Sequence, residues 1–253
     1  MLNVTVIGSG NVAQHLIKAF LKADGVTVVQ AFARTPENLR HILPADKIAT
    51  SMNDLSEADV YIIAVTDNAI GEVAEHLTFK DKLVVHTSGS MPMQNLSVNN
   101  RRGVFYPLQT FSKNKEVDFD NVSFCIESEF EEDYMVIEHL AKLLSPKIYK
   151  VDSQQRNALH VAAVFASNFA NHMYVLANEI CHEHNLPFEI LKPLITETAA
   201  KVQELSPVKA QTGPALRNDS KTIKAHLELL TDDNQKDIYK TLTQSIQAHA
   251  EKL

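Results

Sequence analysis

One bend constrains this chain more than any other stretch. Residues 2–7 form an apolar run that breaks at Gly8-Ser9-Gly10, and a helical pattern carried by Val12, Leu16, Ala19 and Phe20 begins at once. A short apolar run of this kind reads as a buried parallel strand. The bend therefore joins strand to helix through G-x-G-x-x-A, with Ala13 in the third position. Gly8 permits the tight reversal, Gly10 lets backbone approach a pyrophosphate, and Ala13 lets the helix pack closely on the strand. Free amides and the positive end of the helix favour a phosphate group. Gly8, Ser9, Gly10, Asn11, Val12 and Ala13 are accordingly the expected dinucleotide cradle.

Val26–Phe32 supplies a second apolar strand after Gly25 and completes a βαβ unit. A site for NAD usually places Asp or Glu near the end of this strand, about 20 residues past the glycines, to bind the ribose 2′-hydroxyl. Neither residue occurs between Val26 and Pro36; Arg34 and Thr35 stand there instead. A guanidinium and a hydroxyl suit a 2′-phosphate, so the expected cofactor is NADP. The bland alternative is a surface Arg ahead of a helix opened by Pro36.

Further along, a short helix is expected at Asn53–Glu57 and a strand at Asp59–Val65, with Thr66-Asp67-Asn68 capping a helix over Ala69–Leu77. Leu83–His86 is the next strand and ends in His86-Thr87-Ser88-Gly89-Ser90. Ligands of a doubly wound sheet sit beyond the carboxyl ends of the strands, where both polar clusters fall. Val65, Thr66, Asp67, His86 and Ser88 are therefore candidate cofactor contacts, although Thr66 and Asp67 serve equally well as plain N-caps. Strands at Arg102–Phe105 and Val122–Ile126 flank residues 106–111, where Gln109 is a candidate substrate contact. A helix over Phe130–Leu144 and a strand over Lys147–Val151 close a first domain of residues 1–151. Residues 152–253 read as helices: from Asp152 or Ser153 to about Asn185, then Phe188–Leu205, Ser220–Leu230 and Asn234–Lys252. The fold class is α/β, a Rossmann-like doubly wound N-terminal domain followed by an all-α C-terminal domain.

Composition removes several functions. A net charge of −7 argues against general nucleic-acid binding. Cys125 and Cys181 fit no metal-ligand spacing, so no metal is expected, and both read as buried thiols of a reducing cytoplasm. No basic-then-apolar leader precedes the first strand, which speaks against a signal peptide. Ala158–Asn178 carries no Lys, Arg, Asp or Glu and superficially resembles a membrane span. His160, Ser167, Asn168, Asn171, His172 and Asn178 would be costly in lipid, so a buried helix with no membrane contact is the expectation.

That helix carries a stripe. At 3.6 residues per turn Arg156, His160, Ser167, Asn171, Asn178 and His182 fall near one line, with Asn168 beside it. The next helix marks its wet face with Glu189, Lys192, Glu197, Lys201 and Glu204, whereas this stripe uses small uncharged polar groups. Such groups suggest either a cleft that holds a polar ligand or a buried hydrogen-bond network. Thr212-Gly213-Pro214 forms a rigid turn before Arg217 and Asp219, and Asp219 or Ser220 caps the helix that follows.

These motifs together identify the chain as resembling the 6-phosphogluconate dehydrogenase-like superfamily of NAD(P)-dependent reductases. They are VIGSGNVAQHL, VTDNAI, HTSGS, YPLQTF, ALHVAAVFASNFANH and TGPALRND, spread over nearly the whole chain. The resemblance is to a branch with a helical C-terminal domain of unassigned function. It implies an NADP-binding N-terminal domain and a helical domain that dimerises and closes a cleft, as in ketopantoate and pyrroline-5-carboxylate reductases. One departure stands out: hydroxyacid and ketopantoate relatives open the interdomain helix with a catalytic Lys followed by Asn, and this chain has no Lys between Lys150 and Lys192. The expected activity is NADPH-dependent reduction of a small polar C=O or C=N compound in an interdomain cleft, the alternative being an NADP-binding regulator or sensor without turnover. Within the enzyme reading His160 is the general acid and Asn168 holds the reacting oxygen or nitrogen. Ser88 or His86 fixes the nicotinamide ribose or the substrate, and Gln109, Asn171 and Arg217 bind substrate. The uncharged helix adds the expectation of a homodimer.

Overall fold

The computed structural model describes residues 1–250. Eight strands make one sheet: β1 Leu2–Ile7, β2 Val26–Phe32, β3 Ile48–Ala49, β4 Val60–Ile63, β5 Leu83–His86, β6 Arg101–Leu108, β7 Ser123–Ser128 and β8 Ile148–Lys150. Their order is β3-β2-β1-β4-β5-β6-β7-β8, parallel throughout except that β7 runs antiparallel to β6. The first six positions reproduce the doubly wound order, so the chain reverses direction across the sheet beside β1. Val4, Val6, Ile62 and Val85 are buried on one face and Ile7, Tyr61, Ile63 and Val84 on the other. Residues covered on both faces explain why these strands read as unbroken apolar runs. Helix α1, Asn11–Lys22, packs Ala13, Leu16, Ile17 and Phe20 into the first layer beside Ile137, Leu140 and Ala141 of α3, Glu131–Lys142. Helix α2, Ile70–Glu75, packs Ile70 and Ala74 into the second.

Several local expectations change. The segment around Asn53 is a 3-10 turn at Met52–Asp54, not a helix. Thr66 makes no side-chain cap, because a 3-10 turn at Asp67–Ala69 precedes α2 and Asp67 is engaged elsewhere. Strand β6 continues through Tyr106-Pro107-Leu108, where a proline suggested a loop. Phe124, opposite Pro107, turns its amide to Lys147 of the far neighbour. The missing N–H of Pro107 therefore faces away from β7, toward a flank where β5 has already ended at His86.

The chain divides into two compact units, residues 1–167 and the residues from Asn168 onward. Helix α4, Ser153–Ala163, opens with a reciprocal cap: Asp152 accepts from the Gln155 amide at 2.8 Å and Gln155 accepts from the Asp152 amide at 3.0 Å. It runs through a π-helical turn, Val164–Phe169, into α5, Ala170–Glu183. The second unit also holds α6 Lys192–Glu204, α7 Pro207–Ala210, α8 Ser220–Leu229 and α9 Asp233–Ala250. Asp219 caps α8 by accepting from the Thr222 amide at 3.1 Å.

The uncharged helix is not the buried element its composition suggested. Within one chain Val161, Phe165, Phe169, Tyr174 and Val175 are exposed, Phe165 by 66%. Of its polar stripe only Arg156 is fully buried. Among the described residues of the second unit only Cys181, Ala215 and Gln235 are buried. Both cysteines are free and buried, and no helix among the described residues is long and apolar enough to cross a membrane.

Candidate active site

The bend after β1 is built for close approach. Gly8 has φ +136°, and a Cβ there would stand 2.1 Å from the Ala64 carbonyl oxygen at the end of β4, so only glycine fits. Its amide donates to Phe32 O at 2.9 Å, which ties the bend to the end of β2. Gly10 sits at the N-cap of α1 with no side-chain cap, and no atom lies within 4 Å of where its Cβ would be. The first intrahelical bond runs from the Gln14 amide to Gly10 O, so the amides of Asn11, Val12 and Ala13 lack helical acceptors. No acidic residue occupies this first turn. Asn11 donates its side-chain N–H to Phe111 O at 3.0 Å, and Ser9 Oγ accepts from Asn38 at 3.4 Å. Arg34 and Thr35 are exposed just past β2, and no hydrogen bond or ion pair holds Arg34 among the described residues. Open glycine backbone, free amides and an unpaired guanidinium on one sheet edge fit a dinucleotide carrying a 2′-phosphate.

A second cluster forms past β5 on the same edge. Ser88 Oγ accepts from the amides of Ser90 and Met91 at 3.1 and 3.0 Å, so its lone pairs shape the turn. Ser90 Oγ–H donates to Asp67 Oδ2 at 2.6 Å and joins the ends of β4 and β5. His86 lies beneath the turn, fully buried, with Nδ1 accepting from the Ser88 amide at 3.2 Å. Burial, helped by the Arg156 guanidinium, pushes its pKa down to about 4, so the imidazole is neutral near pH 7 and supports the turn from below.

The turn is pinned to the start of α4. Arg156 pairs with Glu127 of β7 and donates to Met91 O at 2.6 Å. Ser153 Oγ–H donates to Glu127 and accepts from the Met93 amide at 3.1 Å. Four residues past Arg156, hence on the same face, His160 lies over Gly89. Tyr106 comes in from β6, and its hydroxyl is 3.1 Å from His160 Nδ1. The fit is close: a Cβ on Gly89 would be 2.6 Å from His160 Nδ1 and 2.7 Å from Tyr106 Cζ. Burial pushes the Tyr106 phenol up to about 12, so it keeps its proton at neutral pH.

The first unit thus brings together Gly8–Ala13, Arg34, Thr35, Val65–Asp67, His86, Ser88 and His160 along the carboxyl ends of its strands. Gln109 is exposed just past β6, its Oε1 accepting from the Thr110 amide. Asn168, Asn171 and Arg217 belong to the second unit, where all three are exposed. Tyr106, Arg156 and Glu127 were not assigned a part by the sequence. Arg156 left a signal, since it shares the stripe of His160 at i,i+4; Tyr106 left only its place in YPLQTF. No group of His, Cys, Asp and Glu able to hold a metal occurs among the described residues.

A family pattern described as NADP oxidoreductase, coenzyme F420-dependent, matches residues 3–89, and a domain of unknown function, DUF2520, matches residues 122–246. A candidate NADP oxidoreductase of Bacteroides fragilis is 41% identical to this chain, with 98% of each chain covered and a TM-score of 0.88. The chain belongs to this NADP oxidoreductase family. The family's fold recurs in an imine reductase of Myxococcus stipitatus in complex with NADP+, at 16% identity over 99% of this chain and 93% of that one, with a TM-score of 0.64. It recurs also in a reductive aminase of Aspergillus terreus bound to NADPH and ethyl levulinate, at 15% identity over 97% and 93%, with a TM-score of 0.70. These two likenesses speak for the fold alone, which is the 6-phosphogluconate dehydrogenase-like architecture expected from the motifs. No curated protein matches the chain. NADP is the cofactor of the family, and the cradle described above suits it.

Proposed function

We propose that the protein is an NADPH-dependent reductase of a small polar C=O or C=N compound and that His160 handles the proton. The observation that carries this is the seat of His160 on the Gly89 turn, on the same sheet edge as the Gly8–Gly10 cradle. When bound, NADPH supplies a hydride. The amides of Asn11–Ala13 hold its pyrophosphate, and Arg34 with Thr35 holds its 2′-phosphate. Val65, Thr66, Asp67 and Ser88 flank it, with His86 supporting Ser88 from beneath. A protonated imidazole can give a proton to a developing alkoxide or amine. Gln109, exposed just past β6, is assigned to the substrate; Asn168, Asn171 and Arg217 are further exposed polar groups of the second unit. A cytoplasmic setting belongs to the same proposal and rests on two buried free thiols.

NADPH absorbance followed against keto acids, aldehydes and imines tests the reading. Turnover on at least one compound is expected, with His160→Ala lowering it about 100-fold while NADPH affinity is kept. Tight NADPH binding with no oxidation on any compound overturns it in favour of a non-catalytic NADP sensor, the alternative raised by the missing Lys.

The second unit adds a homodimer to the proposal. An all-helical unit that buries only three of its described residues lacks the core that a stable domain of its size needs. A second copy of the chain covering Tyr174, Val175, Ile190 and Leu194 supplies it. Sedimentation at micromolar concentration is expected to give a dimer; a folded monomer refutes the assignment.

A further inference from the structure

We infer that Tyr106 is a positioning residue that fixes the tautomer of His160, so that the resting neutral ring carries its hydrogen on Nε2. The inference rests on the reading that His160 serves the reaction. Its ground is a contrast within the chain. Two other histidines turn Nδ1 to the carbonyl four residues back: His76 to Glu72 O at 2.7 Å and His249 to Ser245 O at 2.8 Å. A carbonyl only accepts, so this default puts the hydrogen on Nδ1 and leaves Nε2 bare when the ring is neutral. His160 departs from it, because its Nδ1 faces the Tyr106 hydroxyl at 3.1 Å instead.

A phenol that keeps its proton can donate. Tyr106 is only 9% exposed, and no other acceptor for its O–H appears among the described residues. Its hydrogen therefore goes to Nδ1, and the neutral ring holds its own hydrogen at Nε2. In the imidazolium both nitrogens carry hydrogen, and Nδ1–H then donates to the phenol oxygen. Proton transfer breaks the Nε2–H bond of the imidazolium and forms an O–H or N–H bond on the substrate. The ring is left neutral for the moment with its hydrogen on Nδ1, donated to the phenol oxygen, and a solvent proton taken up at Nε2 returns it to the imidazolium. The strand and the Gly89 turn set the ring, with Tyr106 and His160 centroids 6.2 Å apart at 66°. Nδ1 is held in every state, and Nε2 is the atom free to exchange a proton.

Long-range nitrogen–proton NMR of the free, full-length protein in mildly alkaline buffer reads the tautomer without any substrate. His160 is expected to show hydrogen on Nε2, opposite to His76 and His249. Tyr106→Phe removes one oxygen and is expected to move the hydrogen to Nδ1. Turnover should fall about 10- to 100-fold, the range for losing a group that orients a functional histidine, with NADPH affinity unchanged. A wild-type His160 with hydrogen on Nδ1, or a tautomer unmoved in Tyr106→Phe, overturns the inference. Absence of turnover in the parent protein defeats the reductase reading instead and leaves the tautomer result standing.

Discussion

Gly89→Ala probes the packing that joins the sheet to His160. The added methyl carbon would lie 2.6 Å from His160 Nδ1, 2.7 Å from Tyr106 Cζ and 2.8 Å from the Tyr106 hydroxyl oxygen. Comfortable contact begins at about 3.5 Å, so the methyl overlaps each ring by about 0.8–0.9 Å, and each contact has to be relieved. Backbone strain adds nothing, because Gly89 does not use the left-handed region. Tyr106 is clamped on β6 opposite Cys125, whereas His160 is only half-buried, so His160 takes most of the shift. A displacement near 1 Å of a reacting group costs about 100-fold in rate, and overpacking costs about 1–3 kcal/mol of stability. Three measurements separate these effects: NADPH oxidation, NADPH affinity and urea unfolding. The expected result is a folded variant with normal NADPH affinity, a lost Tyr106–His160 hydrogen bond by NMR, and turnover down about 100-fold. Gly71→Ala is the control: its Cβ would meet nothing nearer than Asn95 O at 3.6 Å, in the first turn of α2. That change should leave turnover alone and raise stability by up to about 1 kcal/mol. A Gly89→Ala protein with parental turnover and an intact His160 signal refutes the reasoning.

Two further outcomes follow from the cradle and the buried imidazole. Gly10→Ala has open space around its new methyl and an extended backbone any residue adopts, so its unfolding free energy should change by less than about 0.5 kcal/mol. A bound pyrophosphate needs that space, so NADPH should bind about tenfold more weakly or worse, and unchanged calorimetric affinity would contradict the cradle. His86 carries a pKa near 4 against an ordinary 6.5, so the unfolded chain binds the extra proton between those values. Stability from this group is fully present above pH 6.5 and is lost as pH falls through 4, a total of about 3 kcal/mol. His86→Asn should flatten urea unfolding across that window, and parallel curves for parent and variant would show that His86 does not titrate this way.

The sequence was most legible where one element buries its residues without outside help. β1, β2 and β5 run from Leu2 to Ile7, Val26 to Phe32 and Leu83 to His86 as the apolar runs indicated, because most of their residues are buried between the two helical layers, which makes apolar side chains predominate. The glycines at 8 and 10 were legible because few residues tolerate such a bend. Where tertiary contact decides, local pattern misled. Pro107 reads as a breaker, yet its side of β6 has no partner to lose, so the strand continues. Thr66 looks like a cap, but a 3-10 turn stands in the way. The contact that matters most joins Tyr106 to His160 across the sheet and a domain-closing helix, and no periodicity reports a pair so far apart. The uncharged helix misled for another reason: its composition calls for cover that a single chain does not provide.

The proline in β6 also bears on what kind of guest this edge receives. Beyond the last residue of β5, a passing peptide could extend the sheet only by pairing with main-chain donors and acceptors on the bare side of its neighbour. Pro107 offers no donor there, so an added strand would go without that main-chain hydrogen bond, while a compact metabolite needs no such ladder.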